Sequence, residues 1–299
     1  MTPSAHRVMI MAGGTGGHVY PGLAVARGLR AKGWDVSWIG TARGLEASVV
    51  PANEIALHTL KTLGLRGKGA ISKAKGFASL FWACLQALAL LLRHRPSMVI
   101  GFGGYAAGPA GAVARLLGIP LLIHEQNAVA GTTNRLLARR AARVMAGFEG
   151  AFAADIDARV TGNPLRDELC DTTEKDYPAV SFDSSRRLRI AILGGSQGAL
   201  ALNTGCPEAF SKLSKDELAC IEIKHQCGAA HADVTQQAWA HMGANQAEVM
   251  PFVDDMAALY RWADVAICRA GALTVSELSV TGTPSVLVPL PQAIDNHQM

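Results

Sequence analysis

Short apolar runs alternate with longer amphipathic segments along the first half of the chain. The short runs are rich in Val, Ile and Leu and end at glycine or polar residues, which predicts strands. Six runs have this form: residues 8–11, 36–40, 57–60, 98–102, 119–123 and 143–146. Four segments between them have a helical pattern: residues 19–29, 72–93, 110–117 and 132–140. Strands that alternate with helices predict a parallel sheet covered on both faces.

The second half of the chain repeats this alternation. Its strand-like runs are residues 188–193, 221–226, 248–252, 265–268 and 285–288. Its helix-like runs are residues 198–213, 231–241, 256–262 and 272–280. Residues 160–164 are interpreted as the end of the first half, and the polar, aperiodic residues 171–187 as a linker. The chain is therefore predicted to form two α/β domains, residues 1–162 and 163–299.

Three of the strand-like runs lead into a glycine-rich loop. These loops are Gly-Gly-Thr-Gly-Gly-His at residues 13–18, Gly-Phe-Gly-Gly-Tyr at 101–105 and Gly-Gly-Ser-Gln-Gly-Ala at 194–199. Glycine allows a sharp turn and a close approach of a ligand, and a following helix N-terminus favours an anion. Ligands of open parallel sheets bind beyond the carboxyl ends of the strands. The loops predict two anion-binding halves that face a shared cleft.

The spacing within these loops excludes two common nucleotide motifs. The first loop is not Gly-x-Gly-x-x-Gly with a later ribose-binding acid, and no Lys-Ser/Thr pair follows it. This disfavours nicotinamide and Walker-type ATP chemistry. His124-Glu125 lacks the second histidine of a zinc-protease motif, and no Asp-x-Asp cluster stands out, so neither a metal nor a cofactor is expected.

Three side chains are candidates for chemistry, each with a simpler alternative. His18 follows the first loop, where it could act as a general base or only cap and pack the helix. Arg166 could stabilise a leaving phosphate or be a solvated charge at a hinge. Glu277 could accept two ribose hydroxyls or be a favourable charge near a helix N-terminus.

Composition narrows the class of partner. The chain has 299 residues, a hydrophobic fraction of 49% and a net charge of +4, which suits a globular protein with anionic ligands or an anionic membrane surface but is no nucleic-acid signature. Six scattered cysteines without a Cys-x-x-Cys pair predict a reducing cytoplasm. The N-terminal apolar run ends too early for a signal peptide.

The most apolar segment, residues 77–92, has basic residues on both sides. Its length of about 16 residues falls short of the roughly 20 needed to span a bilayer. Burial in the core and docking on an anionic membrane both explain it, and one helix can do both on opposite faces.

Several of these motifs together resemble the MurG family of bacterial peptidoglycan glycosyltransferases, glycosyltransferase family 28. The resemblance is carried in order by residues 13–18, 103–105, 124–127, 162–164, 194–199 and 271–277. It implies two Rossmann-like domains in the GT-B arrangement. The first would bind the acceptor and the membrane, and the second would bind the UDP-sugar. It implies transfer, with inversion, of N-acetylglucosamine from its UDP donor to the muramoyl C4 hydroxyl of lipid I, giving lipid II and UDP.

The resemblance also implies which residues do this. His18 matches a proposed catalytic base. The acceptor diphosphate is matched to Gly13, Gly14, Gly103, Gly104 and Tyr105. The donor is matched to Thr15, Gly16, Gly17, Asn127, Arg166, Ser196, Gln197, Phe252, Val253, Leu273, Thr274, Glu277 and Gln298. The location implied is the cytoplasmic face of the bacterial inner membrane, with peripheral attachment.

The sequence departs from the family at its end. The family continues beyond residues 295–298 with more of the second domain and a C-terminal helix, so the chain is expected to be truncated and its activity is put in doubt. Three alternatives stay open: a UDP-N-acetylglucosamine 2-epimerase, another GT-B nucleotide-sugar enzyme, and a non-catalytic membrane-associated module.

Overall fold

The computed structural model describes residues 6–61, 70–170, 186–195, 198–241 and 247–289. The chain divides into two compact units, Met1–Arg166 and Asp167–Met299. The elements of the first unit are β1 (Arg7–Ala12), α1 (Gly16–Ala31), β2 (Asp35–Gly40), α2 (Glu46–Ala52), β3 (Ala56–Thr59), α3 (Ala70–His94), β4 (Met98–Gly103), α4 (Ala107–Leu116), β5 (Leu121–Glu125), α5 (Thr132–Ala138), β6 (Arg143–Ala146) and β7 (Ala158–Val160).

The first unit is built on a seven-stranded sheet in the order β3-β2-β1-β4-β5-β6-β7. Every strand pair described in it is parallel, and Ile10 of β1 lies between Trp38 of β2 and Ile100 of β4. The strand order reverses between β1 and β4, so the helices that follow these two strands, α1 and α4, cover opposite faces of the sheet. The first and second glycine loops of the sequence, residues 13–18 and 101–105, follow these two strands.

Side chains of β1 alternate between two hydrophobic cores. Met9 and Met11 pack on the face covered by α3, α4 and α5. Val8, Ile10 and Ala12 pack on the other face, which is covered by α1 and α2. Burial on both faces explains why β1 is a continuous apolar run instead of an alternating one.

The second unit holds a five-stranded sheet in the order β10-β9-β8-β11-β12. Its strand pairs are also parallel where they are described. Its elements are α6 (Asp167–Cys170), β8 (Leu188–Leu193), α7 (Leu200–Phe210), α8 (Lys215–Ala219), β9 (Ile221–Gln226), a 3-10 turn (Ala229–His231), α9 (Ala232–His241), β10 (Ala247–Met250), α10 (Met256–Trp262), β11 (Val265–Cys268), α11 (Ala272–Thr281) and β12 (Ser285–Leu287).

The predicted class, two α/β units with parallel sheets, is confirmed. The predicted helix at 198–213 ends earlier, and a separate helix, α8, follows it because Ser214 and Glu217 form a capping box. The helices α2, α6 and the strand β7 were not predicted, since each is too short to show a period. Most of the proposed linker, residues 171–187, lies outside the described residues.

Candidate functional site

The first glycine loop joins β1 to α1 at the switch point of the first sheet. Gly14 has a φ of +96°, a conformation that favours glycine. Thr15 is the N-cap residue of α1, and within the described residues its side chain makes no capping hydrogen bond. The first turn of α1, which includes Gly16 and Gly17, thus has no side-chain cap from Thr15 on its N–H groups, and N–H groups of this kind can bind an anion.

One amide of this loop already has an internal acceptor. The Gly14 N–H donates to Oε2 of the buried Glu46 over 2.9 Å. Gly14 was predicted to bind the acceptor diphosphate, and its amide contributes to that site only if the bond to Glu46 is given up. Glu46 itself was not singled out from the sequence, because a glutamate in the first turn of a short helix is ordinary.

His18 is held by the loop that precedes it. Its Nδ1 lies 3.2 Å from the Gly13 carbonyl oxygen. A carbonyl oxygen only accepts, so Nδ1 carries the proton and Nε2 is left as the basic nitrogen. Nε2 of the half-buried ring can therefore accept a proton, which is a condition that the predicted general base has to meet.

The first and second glycine loops, residues 13–18 and 101–105, pack directly against each other. A methyl group added at Gly103 would lie 3.0 Å from Nε2 and Cδ2 of His18. Gly104 faces the backbone of Gly13 so closely that no side chain fits between them. Both glycines have positive φ values, +107° and +90°, and the neighbouring Tyr105 is exposed. The structure therefore brings the predicted base and the predicted acceptor loops together.

The segment after β5 is organised by a buried carboxylate. Glu125 accepts hydrogen bonds from Asn127 N, Asn127 Nδ2, Gly131 N and Asn134 Nδ2, all between 2.9 and 3.0 Å. Both oxygens are fully used, so Glu125 fixes the loop and orients the Asn127 side chain. Asn127 was predicted to bind the donor, and Glu125 acts on it as a structural anchor.

His124 ties this loop to the end of the first unit. Its Nε2 donates to the Gly162 carbonyl over 3.0 Å, and its Nδ1 accepts from Gln126 Nε2 over 3.1 Å. Burial lowers the pKa of His124, against the opposing effects of the Gly162 hydrogen bond and of Glu125. The ring is therefore a neutral structural link and no free base or metal ligand.

Arg166 lies at the end of the first unit, close to α1. Its guanidinium carbon is 5.8 Å from the ring centre of Tyr20, one turn after the first glycine loop. This is a cation–π distance. Its contact is with the helix that follows the first loop, so its predicted role toward the donor stays a prediction.

The second unit carries the remaining glycine loop between β8 and α7. Gly195 and Gly198 have positive φ values, and Gly198 lies directly against the Cys227 carbonyl. Ser196 and Gln197, the predicted donor ligands of this loop, lie outside the described residues. Gln298, another predicted donor ligand, also lies outside them.

A series of hydrogen bonds between buried polar side chains stabilises this loop. Trp239 Nε1 donates to His225 Nδ1 over 3.0 Å, and His225 Nε2 donates to Asn203 Oδ1 over 3.1 Å. Asn203 Nδ2 then donates to the Cys227 carbonyl over 2.9 Å. Burial lowers the pKa of His225 to about 4, which keeps the imidazole neutral.

The other predicted donor residues of the second unit lie at the carboxyl ends of its strands. Phe252 is exposed and Val253 half-buried in the segment after β10. Leu273 and Thr274 occupy the first turn of α11, which begins after Gly271, and both are half-buried. Glu277, one turn further, accepts a hydrogen bond from Tyr260.

No metal centre is apparent in the described part of the chain, which contains no group of three or more His, Cys, Asp or Glu side chains able to hold an ion.

The helix α3 buries one side and exposes the other. Ala83, Ala87 and Leu91 belong to the core of the first unit, whereas Phe77, Phe81 and Trp82 are exposed. The apolar part is longer than the sequence reading of residues 77–92: Gly76–His94, 19 residues with a mean hydropathy of 1.6, is long and apolar enough to cross a membrane by length and composition alone. Core helices pass the same test.

Two parallel-sheet α/β units, each with a glycine loop after its first strand, are typical of two-domain proteins that bind nucleotides. Residues 8–146 match the model of the glycosyltransferase family 28 N-terminal domain, and residues 189–299 match that of the family 28 C-terminal domain. The chain belongs to glycosyltransferase family 28, which confirms the resemblance described above.

Relatives that are about half identical to this chain carry the same enzyme name. A UDP-N-acetylglucosamine–N-acetylmuramyl-(pentapeptide) pyrophosphoryl-undecaprenol N-acetylglucosamine transferase of Methylococcus capsulatus is 51% identical over 98% of this chain and 80% of its own length. The enzyme of the same name from Tolumonas auensis is 48% identical over 97% of this chain and 80% of its own length. The crystal structure of Acinetobacter baumannii MurG matches with a TM-score of 0.76 and 40% identity, and covers 98% of this chain and 81% of that one.

The same fold occurs in a different enzyme. A UDP-N-acetylglucosamine 2-epimerase from Neisseria meningitidis matches with a TM-score of 0.63 at 13% identity, over 94% of this chain and 82% of its own. This likeness shows the fold alone.

Proposed function

We propose that the chain transfers N-acetylglucosamine from UDP-N-acetylglucosamine to the C4 hydroxyl of the muramoyl sugar of lipid I, which gives lipid II and UDP. The observation that carries this is the set of relatives with that transferase name, about half identical to this chain over nearly its whole length. The arrangement of His18 supports it, because the ring presents a basic Nε2 beside two glycine loops.

The reaction is a single displacement. His18 Nε2 takes the proton of the acceptor hydroxyl while its oxygen attacks the anomeric carbon of the donor. The bond from that carbon to the UDP oxygen breaks, and UDP leaves with the electron pair. Attack opposite to the leaving group inverts the configuration. Positive charge on the imidazole is then stabilised by the Gly13 carbonyl at Nδ1.

The two substrates are assigned to different residues, and the first glycine loop contributes to both. In the first unit the acceptor diphosphate is bound by the glycine loops, through Gly13, Gly14, Gly103, Gly104 and Tyr105. Donor contacts from the first unit come from Thr15, Gly16, Gly17, Asn127 and Arg166. Donor contacts from the second unit come from Ser196, Gln197, Phe252, Val253, Leu273, Thr274, Glu277 and Gln298. The N-termini of α7 and α11 stabilise the charge that develops on UDP.

The lipid acceptor requires access to a membrane, and one face of the first unit fits this. The helix α4 packs between α3 and α5, and all three carry exposed apolar side chains. These are Phe77, Leu80, Phe81, Trp82, Leu85 and Leu92 of α3, Leu116 of α4 and Leu136 of α5. Exposed arginines accompany them, among them Arg93, Arg115 and Arg135. An apolar surface with cations binds an anionic membrane peripherally, in agreement with a place on the cytoplasmic face of the inner membrane.

A transfer assay tests this function. Labelled UDP-N-acetylglucosamine is incubated with a lipid I analogue, and formation of the disaccharide lipid and UDP is measured. A new sugar epimer from UDP-N-acetylglucosamine alone would indicate an epimerase instead. Absence of transfer together with absence of saturable heat on titration with UDP would indicate a non-catalytic module.

A further inference from the structure

Glu46 lies fully buried at the start of α2, in a space made by glycines. A methyl group added at Gly13 would come within 2.5 Å of Glu46 Oε1, and one added at Gly40 within 2.6 Å of its Cγ. Gly44 touches the same carboxylate so closely that a side chain there would overlap it. The loops after β1 and β2 thus close around this side chain because three of their residues have no Cβ.

The carboxylate joins these two loops by hydrogen bonds. Its Oε1 accepts from Thr41 N over 2.9 Å and from Thr41 Oγ1 over 2.7 Å. Its Oε2 accepts from Gly14 N over 2.9 Å. All three partners donate here, so a group with two accepting oxygens fits the site and an amide does not.

The peptide that Glu46 holds is the one that orients His18. The Gly14 N–H belongs to the same peptide unit as the Gly13 carbonyl, and that carbonyl receives the His18 Nδ1 proton. Because the unit is planar, fixing the N–H also fixes the direction of the C=O. Gly104 contacts Gly13 from the other side, so the peptide is held from both directions.

We propose that Glu46 is a positioning residue for the transfer reaction, acting through the Gly13–Gly14 peptide on His18. This rests on the function proposed above, in which His18 is the base. The carboxylate fixes the peptide, the peptide fixes the Nδ1–H form of His18, and Nε2 is thereby kept as the accepting nitrogen toward the acceptor hydroxyl.

The test is Glu46→Gln, which keeps the shape and turns one accepting oxygen into a donor. We expect kcat for transfer to fall by about tenfold to a hundredfold, because small misplacements of a catalytic group have effects of this size. The KM for UDP-N-acetylglucosamine should stay within about twofold, since the hydrogen bonds of Glu46 go to Gly14 and Thr41, which are not among the predicted donor residues. The matched control is Glu54→Gln, whose side chain is 88% exposed, and it should behave as wild type.

Coupling to His18 separates positioning from general stability. In a His18→Ala background Glu46→Gln should cause no further loss of kcat. If the falls in kcat of the two single variants multiply in the double variant, or if Glu46→Gln retains wild-type kcat, the proposal is wrong. Should Glu46→Gln not fold, Thr41→Val removes one donor to Oε1 and should give a smaller fall in kcat with the same dependence on His18.

A readout without turnover distinguishes this inference from the proposed function. Nitrogen-15 NMR of His18 in the free protein should show the Nδ1–H tautomer in wild type and in Glu54→Gln. In Glu46→Gln the Nε2–H tautomer should gain population. If wild type has no transferase activity but the tautomer shifts, the function fails and the positioning stands; an unchanged tautomer overturns the positioning.

Discussion

The Tyr260 hydroxyl donates a hydrogen bond to Glu277 Oε2 over 3.0 Å, from α10 to α11 of the second unit. The Tyr260 ring is fully buried in the core beneath these helices. Glu277 is the residue predicted to accept ribose hydroxyls. A rigid, buried donor therefore fixes one oxygen of the Glu277 carboxylate.

Replacing Tyr260 with Phe should weaken the binding of UDP. The ring stays buried while the hydroxyl is lost, and a hydrogen bond to a charged group is worth a loss in affinity of about threefold to thirtyfold. Isothermal titration with UDP measures this loss. The same titration with a 2′,3′-dideoxy nucleotide should give equal affinities for wild type and Tyr260→Phe. Tyr105→Phe, an exposed tyrosine of the first unit, is the control. An equal loss for both nucleotides would contradict the assignment to ribose.

His18→Ala should abolish most of the turnover and leave the affinity for UDP unchanged. The base contributes roughly a hundredfold to ten-thousandfold to such a proton transfer. Titration with UDP should give the wild-type affinity, since the donor residues of the second unit are unchanged. His241→Ala, an exposed histidine at the end of α9, is the control in both assays. Unchanged turnover in His18→Ala would remove His18 from the mechanism.

The pH dependence of stability should reveal the buried His225. Its pKa is lowered by burial from 6.5 to about 4, so the unfolded chain binds a proton in a range where the folded chain does not. The contribution of neutral His225 to the free energy of unfolding is complete above pH 6.5 and is lost as the pH falls toward 4. Its full size is roughly 3 kcal/mol. A proton on Nδ1 would face the Trp239 N–H, which explains why the folded state rejects it.

Urea unfolding at pH 7.5 and pH 5 measures this effect. His225→Gln keeps an acceptor and a donor but does not titrate, so its free energy of unfolding should change less between the two pH values than that of wild type. His124 also has a lowered pKa, but it contributes equally to both proteins. Equal changes in wild type and His225→Gln would mean that His225 is already accessible to protons.

The glycine loops and the strand–helix alternation could be predicted because their signals are local. An apolar run followed by glycines is visible in a short window, as at residues 8–17. Glu46 and Tyr260 could not be predicted, because their roles depend on partners distant in sequence. Glu46 is buried only where the pairing of β1 with β2 brings Gly13 and Gly40 around it. Tyr260 reads as an ordinary core residue until Glu277 is placed beside it.

Gly198→Ala should disrupt the loop of the second unit. Gly198 has a φ of +76°, and an added Cβ would overlap the Cys227 carbonyl. We expect the free energy of unfolding to fall by several kcal/mol or the loop to be displaced, since a backbone carbonyl cannot easily move away from an added side chain. The measurements are thermal unfolding and UDP affinity. Gly205→Ala is the matched control: it lies within α7 with open space around it and should be neutral or stabilising. Wild-type UDP affinity in Gly198→Ala would separate this loop from donor binding.

The exposed apolar side chains of α3 should be required for binding to membranes. Phe81 and Trp82 are 66% and 56% exposed, whereas Ala83 and Ala87 of the same helix are buried. The double change Phe81→Ser and Trp82→Ser should reduce binding to phosphatidylglycerol vesicles at least about tenfold, because each aromatic ring gains roughly 1.5–3 kcal/mol on burial. Sedimentation with vesicles measures this, and Val234→Ser, at an exposed residue of the second unit, should bind as wild type. Since neither ring lies in the core, UDP affinity and thermal stability should be unchanged. Wild-type vesicle binding by the double variant would place the membrane contact on another surface.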